Sequence, residues 1–355
     1  MESGEWNMKL LLPEWVREEM FEAYLADWGD AEISPAAADP KGRDYKTWLA
    51  DTVRMRTVVP AHLVPATLLF LVDDAETKIL GGIDIRHRLN DSLLAFGGHI
   101  GYGIVPSERG KGYAKAQLRL ALPVAKSLGV SRALITCDDG NTPSARTIEA
   151  LGGVLEGKRA ENGRLVRRYW VDIPQETLET ERLILRQWTM DDADDMFAYA
   201  KSPKVGPAAG WKPHESRAES AEILRGWLQS PEVWAVEEKA SGRVIGSIGL
   251  HRDDLRSNPR ARMIGYVLRE ESWGRGYMPE AVRRLTAFAF EALCMDVVSI
   301  QHFEFNDRSR RVIEKCGFRY EGTLRRASSI FDGSVHDALV YSMLREEYFA
   351  AKRAE

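Results

Sequence analysis

Gly101-Tyr102-Gly103-Ile104-Val105-Pro106-Ser107-Glu108-Arg109-Gly110-Lys111-Gly112-Tyr113-Ala114 runs an apolar strand into a helix through a glycine-rich turn. A second copy follows: Gly265-Tyr266-Val267-Leu268 leads to Trp273-Gly274-Arg275-Gly276-Tyr277-Met278. Gly101, Gly110 and Gly112 thus recur at Gly265, Gly274 and Gly276, each 164 positions later. Outside the turn, Gly81 matches Gly246, and Asn141, Ser144 and Gly152 match Asn306, Ser309 and Gly317, all at 165. Offsets that agree to within one residue over so many positions identify a tandem duplication of a single domain.

The turn has a physical use. Glycines without Cβ let backbone N–H groups close around a ligand, and a helix beginning there adds unpaired donors and the positive end of its dipole. Both copies therefore read as anion cradles. Neither contains Gly-x-Gly-x-x-Gly or Gly-x-x-x-x-Gly-Lys-Ser/Thr, which removes the dinucleotide-binding and P-loop alternatives.

Arg-x-x-Gly-x-Ala at Arg109, Gly112 and Ala114 resembles the coenzyme pyrophosphate loop of the Gcn5-related N-acetyltransferase (GNAT) superfamily. In the second half, Thr180-Glu181-Arg182-Leu183-Ile184-Leu185-Arg186, the Trp273–Met278 loop and Asn306-Asp307-Arg308-Ser309 through Glu314-Lys315-Cys316-Gly317-Phe318 resemble the ribosomal-protein N-terminal acetyltransferase group. The resemblance implies an α/β (α+β) fold in two tandem domains, each a mixed, mostly antiparallel, splayed sheet flanked by helices. It implies acetyl-CoA as cosubstrate and direct attack of a primary amine, from a small molecule or a protein N-terminus, on its thioester. The coenzyme residues it implies are Ile104, Val105, Arg109, Gly110, Lys111, Gly112, Tyr113, Ala114, Asn141 and Ser144 in the first copy. In the second they are Val267, Leu268, Trp273, Gly274, Arg275, Gly276, Tyr277, Met278, Asn306 and Ser309.

An amine must lose a proton before it attacks, and the coenzyme thiolate must gain one. Relatives commonly carry a glutamate base ten residues before the loop. His99 stands there in the first copy and Met263, which cannot be a base, in the second. The helix tyrosine that other relatives use as acid is replaced by Ile148 and Ile313. Ser309 is then the candidate donor in the second copy, with His251, Glu304 and His336 as candidate bases. The rival reading is an acetyl-CoA-binding or scaffolding protein in which one or both copies no longer catalyse.

Composition bounds the rest. The 355 residues suffice for two cores. Residues 1–173 hold 22 Lys/Arg and 24 Asp/Glu, and residues 174–355 hold 27 and 29, so each half is at −2 and lacks the basic excess of a nucleic-acid or anionic-membrane binder. Cys137, Cys294 and Cys316 are too few and scattered for a disulfide framework or a metal site. No apolar run approaches membrane-spanning length, and the start of the chain lacks the form of a signal peptide. These features predict a cytoplasmic enzyme without metal.

The predicted domains are 1–173 and 174–355, joined near Pro174-Gln175-Glu176. Helices are predicted over Glu14–Leu25, after each glycine turn, and over Pro143–Leu151 and Arg308–Cys316. Gly29–Lys46 reads as a loop, and Ala95–Val105 and Met263–Leu268 as the strands that feed the cradles.

Overall fold

A computed structural model describes residues 8–161, 163–228, 230 and 232–354. The chain divides into two compact units, Met1–Pro174 and Gln175–Glu355.

The first unit is a seven-stranded sheet in the order β1-β2-β3-β4-β5-β7-β6. Its strands are β1 (Met8–Leu11), β2 (Ala66–Asp73), β3 (Ile79–Arg86), β4 (Ile100–Ile104), β5 (Arg132–Asp138), β6 (Val154–Glu161) and β7 (Arg164–Asp172). Every pairing is antiparallel except β4 with β5. Four helices accompany it: α1 (Glu18–Trp28), α2 (Tyr45–Arg54), α3 (Tyr113–Ser127) and α4 (Thr142–Glu149). β2 and β3 read as continuous apolar runs because both faces are covered. On one face an aromatic cluster forms, in which Phe21 of α1 stacks on Trp48 of α2 at 4.1 Å and both pack near Phe70. Leu118, Ala121 and Ala125 of α3, spaced for one helical face, are fully buried.

The second unit repeats the plan with eight strands, ordered β14-β15-β13-β12-β11-β10-β9-β8. They are β8 (Leu178–Glu179), β9 (Leu183–Arg186), β10 (Val233–Glu238), β11 (Arg243–Arg252), β12 (Ala261–Leu268), β13 (Val297–Phe303), β14 (Arg319–Ser329) and β15 (Val335–Leu344). The helices are α5 (Ala193–Ala200), α6 (Arg217–Leu228), α7 (Tyr277–Ala287), α8 (Asp307–Lys315) and α9 (Arg345–Ala354). Again one central pair, β12 with β13, is parallel. Ala281, Leu285 and Ala289 present the predicted apolar face to this sheet and are fully buried.

Two expectations change. The predicted strand Ala95–Val105 is shorter, because Leu93–Gly97 is a wide helical turn and β4 starts at Ile100. Arg168 takes the Leu94 and Ala95 carbonyls, and the Thr136 hydroxyl donates to that of Phe96 at 2.7 Å, so this backbone is held from elsewhere in the chain. The loop predicted over 29–46 holds through Asp44, where α2, which was not predicted, begins: its N-cap Asp44 accepts from the Thr47 amide at 3.0 Å and its Trp48 is wholly buried. Among the described residues no helix is long and apolar enough to cross a membrane.

Candidate active site

In each unit the parallel strand pair comes apart. β12 and β13 are in register from Ala261↔Val297 to Ile264↔Ile300 and then diverge, and β4 and β5 keep only Ile100↔Ile135. The Arg269 amide bonds the Ile245 carbonyl on β11, so alternation turns the backbone groups of Tyr266 and Leu268 the other way, into the opening. The opening is a cleft of about 660 Å³ between Gly265–Leu268 on one side and Gln301–Phe303 on the other.

A glycine turn follows the split strand in each unit, and Gly274 and Gly276 line the cleft of the second. Gly110 and Gly112 have φ of +78° and +85°, and Gly274 and Gly276 have +77° and +80°, a region that side chains with a Cβ rarely enter. Gly112 caps α3 and Gly276 caps α7, and neither helix start has a side-chain cap, which leaves first-turn amides facing outward. These are the glycine turns expected from sequence at the two helix starts.

The cradle's flanking residues have a structural use that spacing did not reveal. Arg109 Nε donates to the Ile104 carbonyl at 3.1 Å, and Trp273 Nε1 donates to the equivalent Leu268 carbonyl at 2.8 Å. Both hold the strand end to the turn, which explains how an arginine and a tryptophan share one position. Arg109 also lies over the Trp28 ring at 5.3 Å, and Lys111 pairs with Glu108 at 2.7 Å. In the second unit Arg182 bonds Glu280 and the Arg275 carbonyl and covers the Tyr277 ring at 4.5 Å, stapling the turn to β9. Arg308, Arg311 and Lys315 of α8 line that cleft, a basic face whose first-copy counterparts at offset 165 are Pro143, Arg146 and Ala150.

Asn141 and Asn306 are N-caps, each accepting from the amide three residues on, Ser144 or Ser309, at 3.1 Å. Asn306 also donates to the Ala208 carbonyl at 2.9 Å. The serine hydroxyls meet tyrosines of the splayed strand: Ser144 with Tyr102 at 2.9 Å, Ser309 with Tyr266 at 2.8 Å. Burial pushes Tyr102 up to about 12 and raises Tyr266 further, while the serine hydrogen bonds pull the other way, so both phenols keep their protons at neutral pH. The matched Tyr–Ser pairs were visible in sequence as matched positions, but not as partners.

The histidines separate sharply. His99 is buried beside Trp170, and its Nδ1 accepts the Leu134 amide at 2.9 Å. That bond puts the ring proton on Nε2, so no lone pair is left to take a proton from an amine. Burial and the nearby Arg86 charge both lower its pKa. The base role predicted for His99 therefore finds no support in this geometry. His251 has the opposite arrangement: Nδ1 faces the Glu232 carboxylate at 3.3 Å, a group that only accepts, and Nε2 carries the free lone pair. The ring lies on Gly249, where a Cβ would stand 2.2 Å from Nε2, and beside Gly265 of β12. His336 bonds Glu304 at 2.8 Å and Ser334 at 2.7 Å, packs on Phe305, and does not line the cleft. Met263 does line it.

A second cavity of about 520 Å³ lies between α5, α6 and the face of β11 and β12, and His251 is in its wall. It shares Ala209, Gly265, Tyr266 and Val267 with the cleft, so the two meet at the splayed strand. In the first unit that strand is covered: Ser34 donates to the Tyr102 carbonyl at 3.1 Å, and a Cβ on Gly103 would stand 2.4 Å from the Ser34 carbonyl oxygen.

A sheet split at one parallel pair, with the gap ending on a glycine-capped helix and the whole built twice, defines an acetyltransferase architecture. The chain belongs to the acetyltransferase (GNAT) domain family, whose model matches residues 9–154 and 182–319. It is 31% identical over 173 residues to an uncharacterized N-acetyltransferase of Bacillus subtilis, YoaA, covering 47% of this chain and 96% of that one. It is 29% identical to another uncharacterized N-acetyltransferase, p20 of Bacillus licheniformis, over 49% of this chain and 98% of the relative. Among solved structures, ribosomal-protein-S5-alanine acetyltransferase from Vibrio fischeri aligns with a TM-score of 0.41 and 22% identity over 49% of this chain and 98% of that one.

Proposed function

We propose that the second domain is an acetyl-CoA-dependent N-acetyltransferase for a primary amine, with His251 as its general base. The observation that carries this reading is the meeting of the two cavities at Gly265–Val267, with the free Nε2 of a carboxylate-oriented histidine beside the junction. The residues present suit acetyl-CoA: outward amides at Gly274–Tyr277 for a pyrophosphate, an open strand edge for an amide-bearing arm, and the basic face of α8 beside it. Acetyl-CoA supplies the thioester carbonyl that the amine attacks.

The chain's own groups handle position and protons. The Tyr266 and Leu268 amides on the cleft edge are donors for a carbonyl oxygen brought there. His251 Nε2 accepts the amine proton, and Glu232 stabilises the imidazolium formed. The hydrogen bond to His251 is the main cause that holds the Glu232 carboxyl below its usual range, so it is ionised when needed. Ser309 and Tyr266, hydrogen-bonded to each other, are the proton source for a thiolate. Val267, Leu268, Trp273, Gly274, Arg275, Gly276, Tyr277, Met278 and Asn306 keep the coenzyme roles expected for them.

For the first domain, a role without catalysis is the better reading, in which Arg109–Ala114 keep an anion cradle while the strand edge before Ile104 and Val105 is covered. Two observations favour it: the lone pair of His99 is used by Leu134, and Ser34 sits on the strand edge. Free-thiol release with acetyl-CoA and a panel of primary amines tests both proposals. Full activity after His99→Gln and loss after His251→Gln is the expected result; the reverse would exchange the roles of the two domains.

A further inference from the structure

The wall of the amine cavity is specific in kind. Tyr199, Trp211 and Trp227 form its sides with Ile223 and Met196, and these side chains are fixed by packing. Trp211 is pressed on Gly206, where a Cβ would stand 2.5 Å from the indole, and its ring lies 5.1 Å from that of His214. Trp227 packs on the buried Trp188 at 5.4 Å. His214 is itself anchored by Ser220 at 2.8 Å, and burial lowers its pKa, which keeps it neutral. Apart from the histidines, the charged side chains in the wall among the described residues are Glu219 and Lys212, and Glu232 stands behind His251 with the Arg262 cation near it. Lys212 is exposed and paired with Glu215 at 2.5 Å.

We propose that this cavity takes an arylalkyl primary amine: a flat aromatic body among Trp211, Trp227 and Tyr199, carrying a short chain whose amine reaches His251. The inference rests on the catalytic reading above and deepens it. The volume of about 520 Å³ lies within the roughly 300–1,000 Å³ typical of small-molecule sites. Aromatic walls favour an aromatic guest and attract a cation before it is deprotonated. The carboxylates draw an ammonium group and repel a carboxylate, so an amine without an acid group is preferred to the corresponding amino acid. A peptide beginning with serine or alanine would leave the aromatic walls unfilled.

The test uses the full chain at saturating acetyl-CoA and reads kcat/KM by thiol release for tryptamine, ethylamine, tryptophan and a serine-initiated peptide. Tryptamine is expected to exceed ethylamine and the peptide by roughly 100-fold or more, since apolar pockets discriminate at about 10- to 200-fold for each methylene-sized difference. Tryptophan should fall at least about tenfold below tryptamine. Ile223→Trp, which fills the cavity, should lower kcat/KM for tryptamine far more than for ethylamine and so abolish the preference, with an unchanged thermal melt showing that the variant folds. If ethylamine or the peptide equals tryptamine in the wild type, or if Ile223→Trp leaves the preference intact, the acceptor assignment is overturned while the catalytic reading stands. If no amine is acetylated although calorimetry shows acetyl-CoA bound, the catalytic reading itself fails and the acceptor assignment with it.

Discussion

Replacing His251 by glutamine removes the imidazole lone pair that lies beside Gly265, where the two cavities meet, and keeps a polar side chain of similar reach. General-base contributions are typically 10²–10⁴ in rate, which at 1.36 kcal/mol per tenfold is about 2.7–5.4 kcal/mol of activation free energy. His251 lines the second cavity and not the cleft proposed for acetyl-CoA, so the loss should appear in kcat with the KM for acetyl-CoA unchanged. The acid limb of the pH–rate profile, where protonation blocks the base, should vanish in the variant. Gly249→Ala provides an independent perturbation of the same atom: its Cβ would stand 2.2 Å from Nε2, so the imidazole must swing away. That variant should lose activity in the same direction with little change in melting temperature, as the strand itself tolerates alanine. Glu232→Gln should cost about tenfold, because it weakens the orientation of the ring and the charge that stabilises imidazolium. Steady-state rates with a true acceptor, over a range of pH, decide the matter. Wild-type rate and an intact acid limb in His251→Gln would refute the assignment.

Gly276→Asp puts a carboxylate at the start of α7 and forces a Cβ into φ +80°; acetyl-CoA affinity of the second domain should drop at least about tenfold by calorimetry, and Gly276→Ala, which adds strain without charge, should lose less. Asp192 shows a stability link: burial pushes its carboxyl up, but Arg186 at 2.8 Å and the Thr189 amide outweigh this, and the net pKa is lowered. Its contribution is therefore present above the unfolded value of about 4 and lost as pH falls through the folded one. Asp192→Asn should destabilise the second unit by roughly 2 kcal/mol at pH 7, with the gap to wild type closing in acid, as followed by denaturant melts. Expressed separately, residues 1–174 and 175–355 should each give a cooperative melt, and persistent aggregation of both would mean that the cores depend on one another.

The resemblance in sequence led directly to the family, the duplicated plan and the glycine turns, because each rests on residues close together in the chain. Gly110 and Gly112 lie within the turn they shape, and the cap Asn306 bonds an amide three residues on. Apolar spacing located α3 and α7 for the same reason. It placed a strand at 95–97 because nothing local warns that Arg168 and Thr136 will take those carbonyls. α2 was missed although Asp44 is a good N-cap, since its stabilising burial of Trp48 comes from α1 and the sheet.

Distance from the loop made His99 the candidate base of the first copy and left His251, Glu304 and His336 as alternatives in the second, and the hydrogen bonds of the fold separate these histidines. A histidine is a base only if one ring nitrogen has both a lone pair and room, and that is set by what folds against the other one. Leu134, 35 residues from His99, takes the lone pair in the first domain; Glu232, 19 residues from His251, orients the proton away in the second. Thus the sequence by itself determined the fold family and the glycine turns that start α3 and α7, which are built from local backbone conformation. Tertiary packing alone decided which histidine stands beside Gly265 and what lines the second cavity, because these depend on contacts between residues far apart in the chain.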